Sequence, residues 1–251
     1  MLDTTVLVGS QDLVVTPVAQ RPPTGSAISG FLPRWKRVGD RILAAFLLVA
    51  TAPVIAVAMV LVKVASRGPA IYSQTRLGLN GRLFTMYKIR TMTHNCEAGS
   101  GPRWATPDDP RQIRFGRLLR RTHLDELPQL WNVLRGDMSL VGPRPERPEI
   151  VAQFESLIPW YSVRLTVPPG LTGLAQLNLP PDSSIDSVRR KLRYDVHYAA
   201  NLGVWLDLRL LLTTATTLIG IPFAVSRVIL RIPGPDVIEV DRVDAPTGLY
   251  P

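Results

Sequence analysis

Residues 42–62 read ILAAFLLVATAPVIAVAMVLV. The run carries no charge and is about as long as a straight helix needs to cross ~30 Å of hydrocarbon. It follows a polar, proline-bearing leader and exceeds the ~7–15 apolar residues of a cleaved signal, so it is expected to stay in the mature chain as a membrane segment. Two features bear on how it sits there. Pro53 lies near its middle, where a missing backbone donor predicts a kink or break. Basic residues flank both ends: Arg34, Lys36, Arg37 and Arg41 before it, Lys63 and Arg67 after it. Basic flanks favour the cytoplasmic side. A helix that enters, bends at Pro53 and returns to the same face accommodates both observations; an ordinary kinked span is the alternative.

Around this run, 251 residues suffice for one globular domain with appendages. An excess of 29 Lys+Arg over 20 Asp+Glu, formally +9, calls for an anionic partner: nucleic acid, a membrane surface or a phosphorylated substrate. The single cysteine, Cys96, excludes an intramolecular disulfide and any zinc site needing two thiolates from one chain. Residues 1–33 lack sustained periodicity and become rich in Pro, Gly and Ser, the composition of a flexible leader. Residues 70–92, AIYSQTRLGLNGRLFTMYKIRTM, read as a β-hairpin turning at Asn80-Gly81. The two-residue period puts Phe84, Met86, Lys88 and Arg90 on one face of its second strand. Residues 93–111 are loop by composition, and helical spacing runs from 185 to about 231, with Val188, Leu192 and Val196 on one side. Within it, LLLTTATTLIGIPFAVS is short and broken at Gly220 and Pro222, which suits the core or a membrane interface better than a span. Residues 233–251 read as a flexible tail. The expected fold is α+β and mostly helical: a re-entrant membrane helix-hairpin over 34–66, broken at Pro53, and a small cytosolic domain over 67–232 with a short β-hairpin and interfacial amphipathic helices.

Chemistry concentrates in HLDELPQLWN, residues 123–132, where Asp125 and Glu126 stand side by side between leucines. Helix grammar alone can explain this: Asp125 as N-cap, Glu126 and Pro128 in the first turn, Leu127, Leu130 and Leu134 in the core, Gly136 as stop. The surroundings suggest more. Arg114, Arg117, Arg120 and Arg121 precede the pair, and GPRPERP at 142–148 follows, holding Arg144 between two prolines. A carboxylate attacking phosphorus approaches a group that is already negative, so it needs cations: Mg2+ across the phosphate oxygens and Arg or Lys beside it. In that reading Asp125 is the nucleophile and Glu126 helps hold the metal or handles a proton. Lys88, Arg90, Arg120 and Arg144 are the phosphate clamps. A structural salt-bridge network uses the same residue types. Asp195 continues the Val188 and Leu192 line and is either a partly buried acid or an exposed partner of Lys191. His123 serves as a base or, more simply, as a polar helix-start residue. The chain has no P-loop, GxGxxG or HExxH, and His94, His123 and His197 show no ligand spacing.

Taken in order, KRVGDRILA, the apolar segment, RGPAIYSQTRLGLNGRLFTMYKIRTM, LRRTHLDELPQLWNVLRGDMSLVGPRP, PPGLTGLAQLN and YDVHYAANLGVWLDLRLL resemble the bacterial sugar transferases, the monotopic phosphoglycosyl transferases, from about Trp35 to Leu212. The resemblance implies an enzyme that moves a sugar phosphate from a UDP-sugar to polyprenyl phosphate and releases UMP. It implies Mg2+, held by Asp125 and Glu126, and a covalent aspartyl intermediate on Asp125. Lys88, Arg120, Arg144 and Asp195 match positions associated with the active site. Membrane lipids are the implied surroundings, the cytoplasmic face of the bacterial inner membrane the implied location, and a homodimer is left open. With no further span, the chain is expected to be the compact form that lacks the larger N-terminal membrane domain of some relatives. Two departures stand out: Ala52-Pro53 replaces a Ser-Pro bend, and Gly173-Leu174-Ala175-Gln176-Leu177-Asn178-Leu179-Pro180 replaces GWAQVNGR, losing a tryptophan, a glycine and an arginine. Two other readings compete. A membrane-tethered, inactive scaffold of glycan assembly would bind UDP-sugar without releasing UMP. A nucleic-acid binder would need a strong salt-dependent affinity, and no helix-turn-helix, RNP or zinc pattern supports it.

Overall fold

The apolar run lies within α1, Arg34–Ala65, of the computed structural model, which describes residues 32–96 and 109–238. The expected break at Pro53 is not found: α1 is one continuous helix with Pro53 inside it. Proline removes only the donor that would have served Val49, whose residue is exposed, and two turns of helix on either side hold the geometry. Two residues before it, the Thr51 hydroxyl donates to the Leu47 carbonyl at 2.7 Å.

Residues spaced three or four apart turn one stripe of α1 inward. Ala44, with Leu47 and Leu48 beside it, belongs to the main core, and Ala58 and Val62, with Ile55 and Met59, belong to a second cluster with Ile89, Ile113 and Leu119. The opposite stripe leaves Ile42, Phe46, Val49, Val57, Val60 and Val64 exposed. Both ends are tied to the same body. At the start, the fully buried Lys36 ammonium contacts Asp207 Oδ2 at 2.6 Å and donates to the Val141 carbonyl at 3.1 Å. At the end, the buried Arg90 guanidinium donates to the carbonyls of Ser66 and Arg67. Lys36 is therefore not a solvent-facing flank of the apolar run: burial and a carboxylate claim its charge.

β1, Ile71–Leu77, pairs antiparallel with β2, Leu83–Ile89, in the register Ile71↔Ile89 to Leu77↔Leu83. The turn is the expected one, because Asn80 (φ 54°) and Gly81 (φ 75°) both take the positive φ that a primed turn needs. After Met92, which bridges to Gln112, come α2, Gly116–Arg121, a 3₁₀ turn over Leu124–Glu126, and α3, Gln129–Arg135. α3 packs on α1 and β2. β3, Ser139–Val141, runs parallel to β4, Gly170–Thr172, with α4, Pro148–Leu157, between them in sequence. The two strands approach so closely at Gly142 and Gly170 that a Cβ on Gly170 would lie 2.0 Å from the Gly142 nitrogen.

The helical reading of residues 185–231 holds. α5, Leu174–Asn178, precedes α6, Ile185–Ala200, α7, Val204–Leu218, and α8, Phe223–Ile229. α6 opens on a reciprocal cap between Ser184 and Ser187 and buries Val188 and Leu192 as expected. The tail reading needs correcting at its start: Pro235–Ile238 forms α9, and Ile238 is buried in the main core. The rest of that tail, residues 1–31 of the leader and residues 97–108 of the loop lie outside the described residues.

Candidate active site

Asp125 and Glu126 sit on the 3₁₀ turn that enters α3, behind His123 in the left-handed region (φ 55°). The capping explanation does not apply. Pro128 is the residue before α3, no side chain caps that helix, and among the described residues no donor is hydrogen-bonded to the Asp125 carboxylate. Yet Asp125 is only 7% exposed. Burial, reinforced by the Glu126 charge, raises its carboxyl to about 6 against the pull of Lys88, Arg120 and Arg144.

Glu126 is the opposite case. Its Oε1 takes Lys88 Nζ at 2.7 Å and Arg144 Nη2 at 2.7 Å. Burial pushes this carboxyl up, but the charges and hydrogen bonds of Arg144 and Lys88 outweigh it and hold Glu126 below the usual carboxylate range. In return Glu126 raises Arg144, while Lys88 is lowered by burial and by Arg144. Adjacent carboxylates are thus driven apart: one ionised and locked, the other poised near neutrality and unengaged.

The other residues singled out from sequence divide. Arg120 Nε donates to Thr91 Oγ1 at 2.8 Å, and its charge acts on Asp125. Arg90, just past the end of β2, is spent on the carbonyls that end α1, so the structure does not bring it to the carboxylates. Asp195 is buried and faces Arg164, whose Nη2 stands 2.8 Å from its Oδ2. Lys191, its alternative partner, pairs instead with Glu146 and Asp182. His123 is exposed and shapes the turn through its backbone. In the altered stretch, which forms α5, Leu174 is buried in the main core, and the amides of Gln176 and Asn178 donate to the nearby carbonyls of Leu171 and Leu174.

Sequence reasoning missed two residues that build this site. Arg164 carries no local signature and is described below. Asn132, fully buried on α3, mimics a neighbouring strand: its Nδ2 donates to the Thr85 carbonyl at 2.7 Å and its Oδ1 accepts from the Tyr87 amide at 3.2 Å. That clasp fixes α3, and so the Asp125–Glu126 turn, to the strand bearing Lys88. Its sequence signal was a polar residue between the apolar Leu130 and Val133. Asn132→Ala strands two buried backbone groups and is expected to cost about 2–4 kcal/mol, measured by denaturant unfolding; Asn132→Asp keeps the acceptor but sets a buried carboxylate oxygen against the Thr85 carbonyl, and should cost no less at neutral pH.

Two carboxylate groups could hold a cation at this site. Among the described residues no group of three His, Cys, Asp or Glu side chains converges on one point. Asp125 and the second oxygen of Glu126 remain for a Mg2+ ion, which commonly takes one or two carboxylates together with phosphate oxygens and water.

The family model for bacterial sugar transferases matches residues 32–220. The chain is 40% identical over 187 residues to a UDP-glucose:undecaprenyl-phosphate glucose-1-phosphate transferase of Xanthomonas campestris pv. campestris, covering 74% of this chain and 39% of that protein. It is 39% identical over 184 residues to a UDP-N-acetylgalactosamine-undecaprenyl-phosphate N-acetylgalactosaminephosphotransferase of Aeromonas hydrophila, covering 73% and 43%. A third relative, the UDP-glucose:undecaprenyl-phosphate glucose-1-phosphate transferase of Caulobacter vibrioides, is 42% identical over 186 residues, covering 73% and 69%. The chain therefore spans only about two fifths of the length of the first two. The match over residues 32–220, with the carboxylate pair and its cations inside it, means that the chain belongs to the bacterial sugar transferase family.

Proposed function

We propose that this protein transfers a sugar-1-phosphate from a UDP-sugar to undecaprenyl phosphate at the cytoplasmic face of the bacterial inner membrane, releasing UMP and starting glycan assembly. The observation that carries this is Asp125: a buried carboxylate with no hydrogen-bonded partner among the described residues, beside one locked by two cations. An oxygen of Asp125 attacks the sugar-bearing phosphorus, the bond from that phosphorus to the bridging oxygen breaks, and UMP leaves with that oxygen. A phosphate oxygen of undecaprenyl phosphate then attacks the same phosphorus, releasing the carboxylate and forming the lipid diphosphate sugar. Glu126, already neutralised by Lys88 and Arg144, keeps those cations beside the reacting phosphate without adding free negative charge. Arg120 adds positive charge on the Asp125 side. Mg2+, when bound at Asp125 and Glu126, would supply further charge neutralisation on the diphosphate.

Both ends of α1 are fastened to one body, and its outer stripe is apolar along the helix. The supported pose is a helix immersed by its outer face, with both ends on the cytoplasmic side. α7 and α8 join it as interfacial elements, exposing Trp205, Leu212, Ile219, Val228 and Ile229. Single cysteines at Trp35 and Arg67, in a Cys96→Ser chain, should both resist a membrane-impermeant maleimide in intact spheroplasts. Labelling at one end only would establish a span.

The purified protein, given undecaprenyl phosphate, Mg2+ and a panel of UDP-sugars, should release UMP with at least one of them. UDP-sugar binding without UMP release would favour the scaffold reading. If attack requires ionised Asp125, the single-turnover rate falls about tenfold per pH unit below about 6 and is level above it. Glu126 stays ionised throughout that window, so the acid limb has a single slope. A flat rate between pH 5 and 7 would mean either that bound Mg2+ keeps this carboxyl ionised or that another group attacks, and the metal-free titration of Asp125 separates the two.

A further inference from the structure

Residues 142–146, Gly-Pro-Arg-Pro-Glu, form a loop whose two prolines remove two backbone donors, yet four successive carbonyls in it are satisfied. Pro143 O accepts from the Gly170 amide at 2.8 Å and Glu146 O from the Leu77 amide at 3.0 Å. Pro145 O accepts from Arg76 Nη1 at 3.0 Å, and Arg144 O from Arg164 Nη2 at 2.9 Å. The Arg164 side chain is only 2% exposed and is itself immobilised. Its Nε and Nη2 lie 2.9 and 2.8 Å from the same oxygen of Asp195, and its Nη1 is 3.3 Å from the Tyr161 hydroxyl. Asp195, with a side chain 3% exposed, has no open face toward a substrate.

We propose that Arg164, held by Asp195, is a positioning residue that fixes the Arg144 backbone so that its guanidinium meets Glu126; this rests on the transferase reading above. Asp195 thereby acts through Arg164 and Arg144 instead of touching phosphate. A planar fork is needed, because one group must serve a carboxylate and a carbonyl at once. A lysine keeps the charge opposite Asp195 but offers a single ammonium on a flexible stem.

The test is a double-mutant cycle on UMP release by the full chain in detergent: Arg164→Lys, Arg144→Ala and the two together. Arg164→Lys alone should slow turnover by about tenfold to a hundredfold, the scale of a misplaced catalytic group. In the Arg144→Ala background it should slow turnover by less than about threefold, because the group it positions has gone. A pair that only stabilises the fold would subtract its full effect in both backgrounds, and that result would overturn the proposal. If Arg164→Lys does not fold, Asp195→Asn takes its place in the cycle. If the wild-type chain releases no UMP, the proposed function fails, and hydrogen exchange decides the positioning separately. The Gly170 and Leu77 amides, which donate to the loop carbonyls of Pro143 and Glu146, must exchange faster in Arg164→Lys than in wild type, and unchanged exchange overturns it.

Discussion

Asp125→Asn is expected to abolish UMP release, by about 10⁴-fold or more, the scale on which enzymes lose rate when a nucleophile is removed. The amide has nearly the same shape but cannot form the acyl phosphate. A structural explanation is distinguishable because the same substitution should stabilise the fold. Asp125 has a carboxyl raised to about 6 by burial and by Glu126, so the folded state holds its proton more tightly than the unfolded chain does. Ionised Asp125 therefore costs stability above about pH 6, and that cost disappears below the ordinary range near 3.8. Asparagine does not titrate. In EDTA without substrate, the variant should melt higher than wild type at pH 7.5, and the difference should close as pH falls from about 6 to about 4. Loss of activity together with loss of stability at pH 7.5 would instead mark Asp125 as a structural residue.

The second large effect lies away from the carboxylates. Lys36 is fully buried, and its ammonium meets Asp207 Oδ2 at 2.6 Å, while the Tyr198 hydroxyl donates to Asp207 Oδ1 at 2.8 Å and contacts the Val141 carbonyl at 2.9 Å. Burial raises the Asp207 carboxyl, and Lys36 is the strongest influence opposing that rise. Lys36→Met leaves a buried carboxylate without its cation and should cost about 3–5 kcal/mol in denaturant unfolding. The deficit should shrink at acid pH, where Asp207 takes up a proton and no longer needs a counter-charge. Adding Asp207→Leu should restore a large part of the loss at neutral pH. A loss below about 1 kcal/mol for Lys36→Met would show that the pair is not a keystone of the fold.

Local pattern made the hairpin and α6 legible, because turn chemistry at Asn80-Gly81 and the four-residue spacing of Val188 and Leu192 depend on neighbours in sequence. Strand parity grouped Lys88 with Arg90, but β2 ends at Ile89 and only Lys88 meets Glu126. Residues two apart on a strand are separated by roughly 7 Å, enough to serve different partners, and parity says nothing about that. Pro53 does not divide α1 as a break would, because a proline's local penalty acts against a core that grips the helix on both sides of it. Lys36, Asn132 and Arg164 were illegible for a different reason. Their roles are defined by partners far along the chain: Asp207 lies 171 positions from Lys36, and Thr85 lies 47 from Asn132. A lone polar residue in an apolar stretch announces that a partner exists without saying which.

The fastening of α1 at both ends has a mechanical consequence. One fastener, Lys36, grips the carbonyl of Val141, next to the Gly142 that begins the loop carrying Arg144. The other, Arg90, lies two residues along the chain from Lys88, just past the end of β2. Lys88 and Arg144 converge on a single oxygen of Glu126, so the long helix behaves as the crossbeam of a frame whose two uprights meet at that atom. Tilting the beam against the domain would splay the uprights. The frame therefore carries its own level: whatever the exposed apolar stripe of the beam is set against, the Asp125–Glu126 pair keeps a fixed height above it.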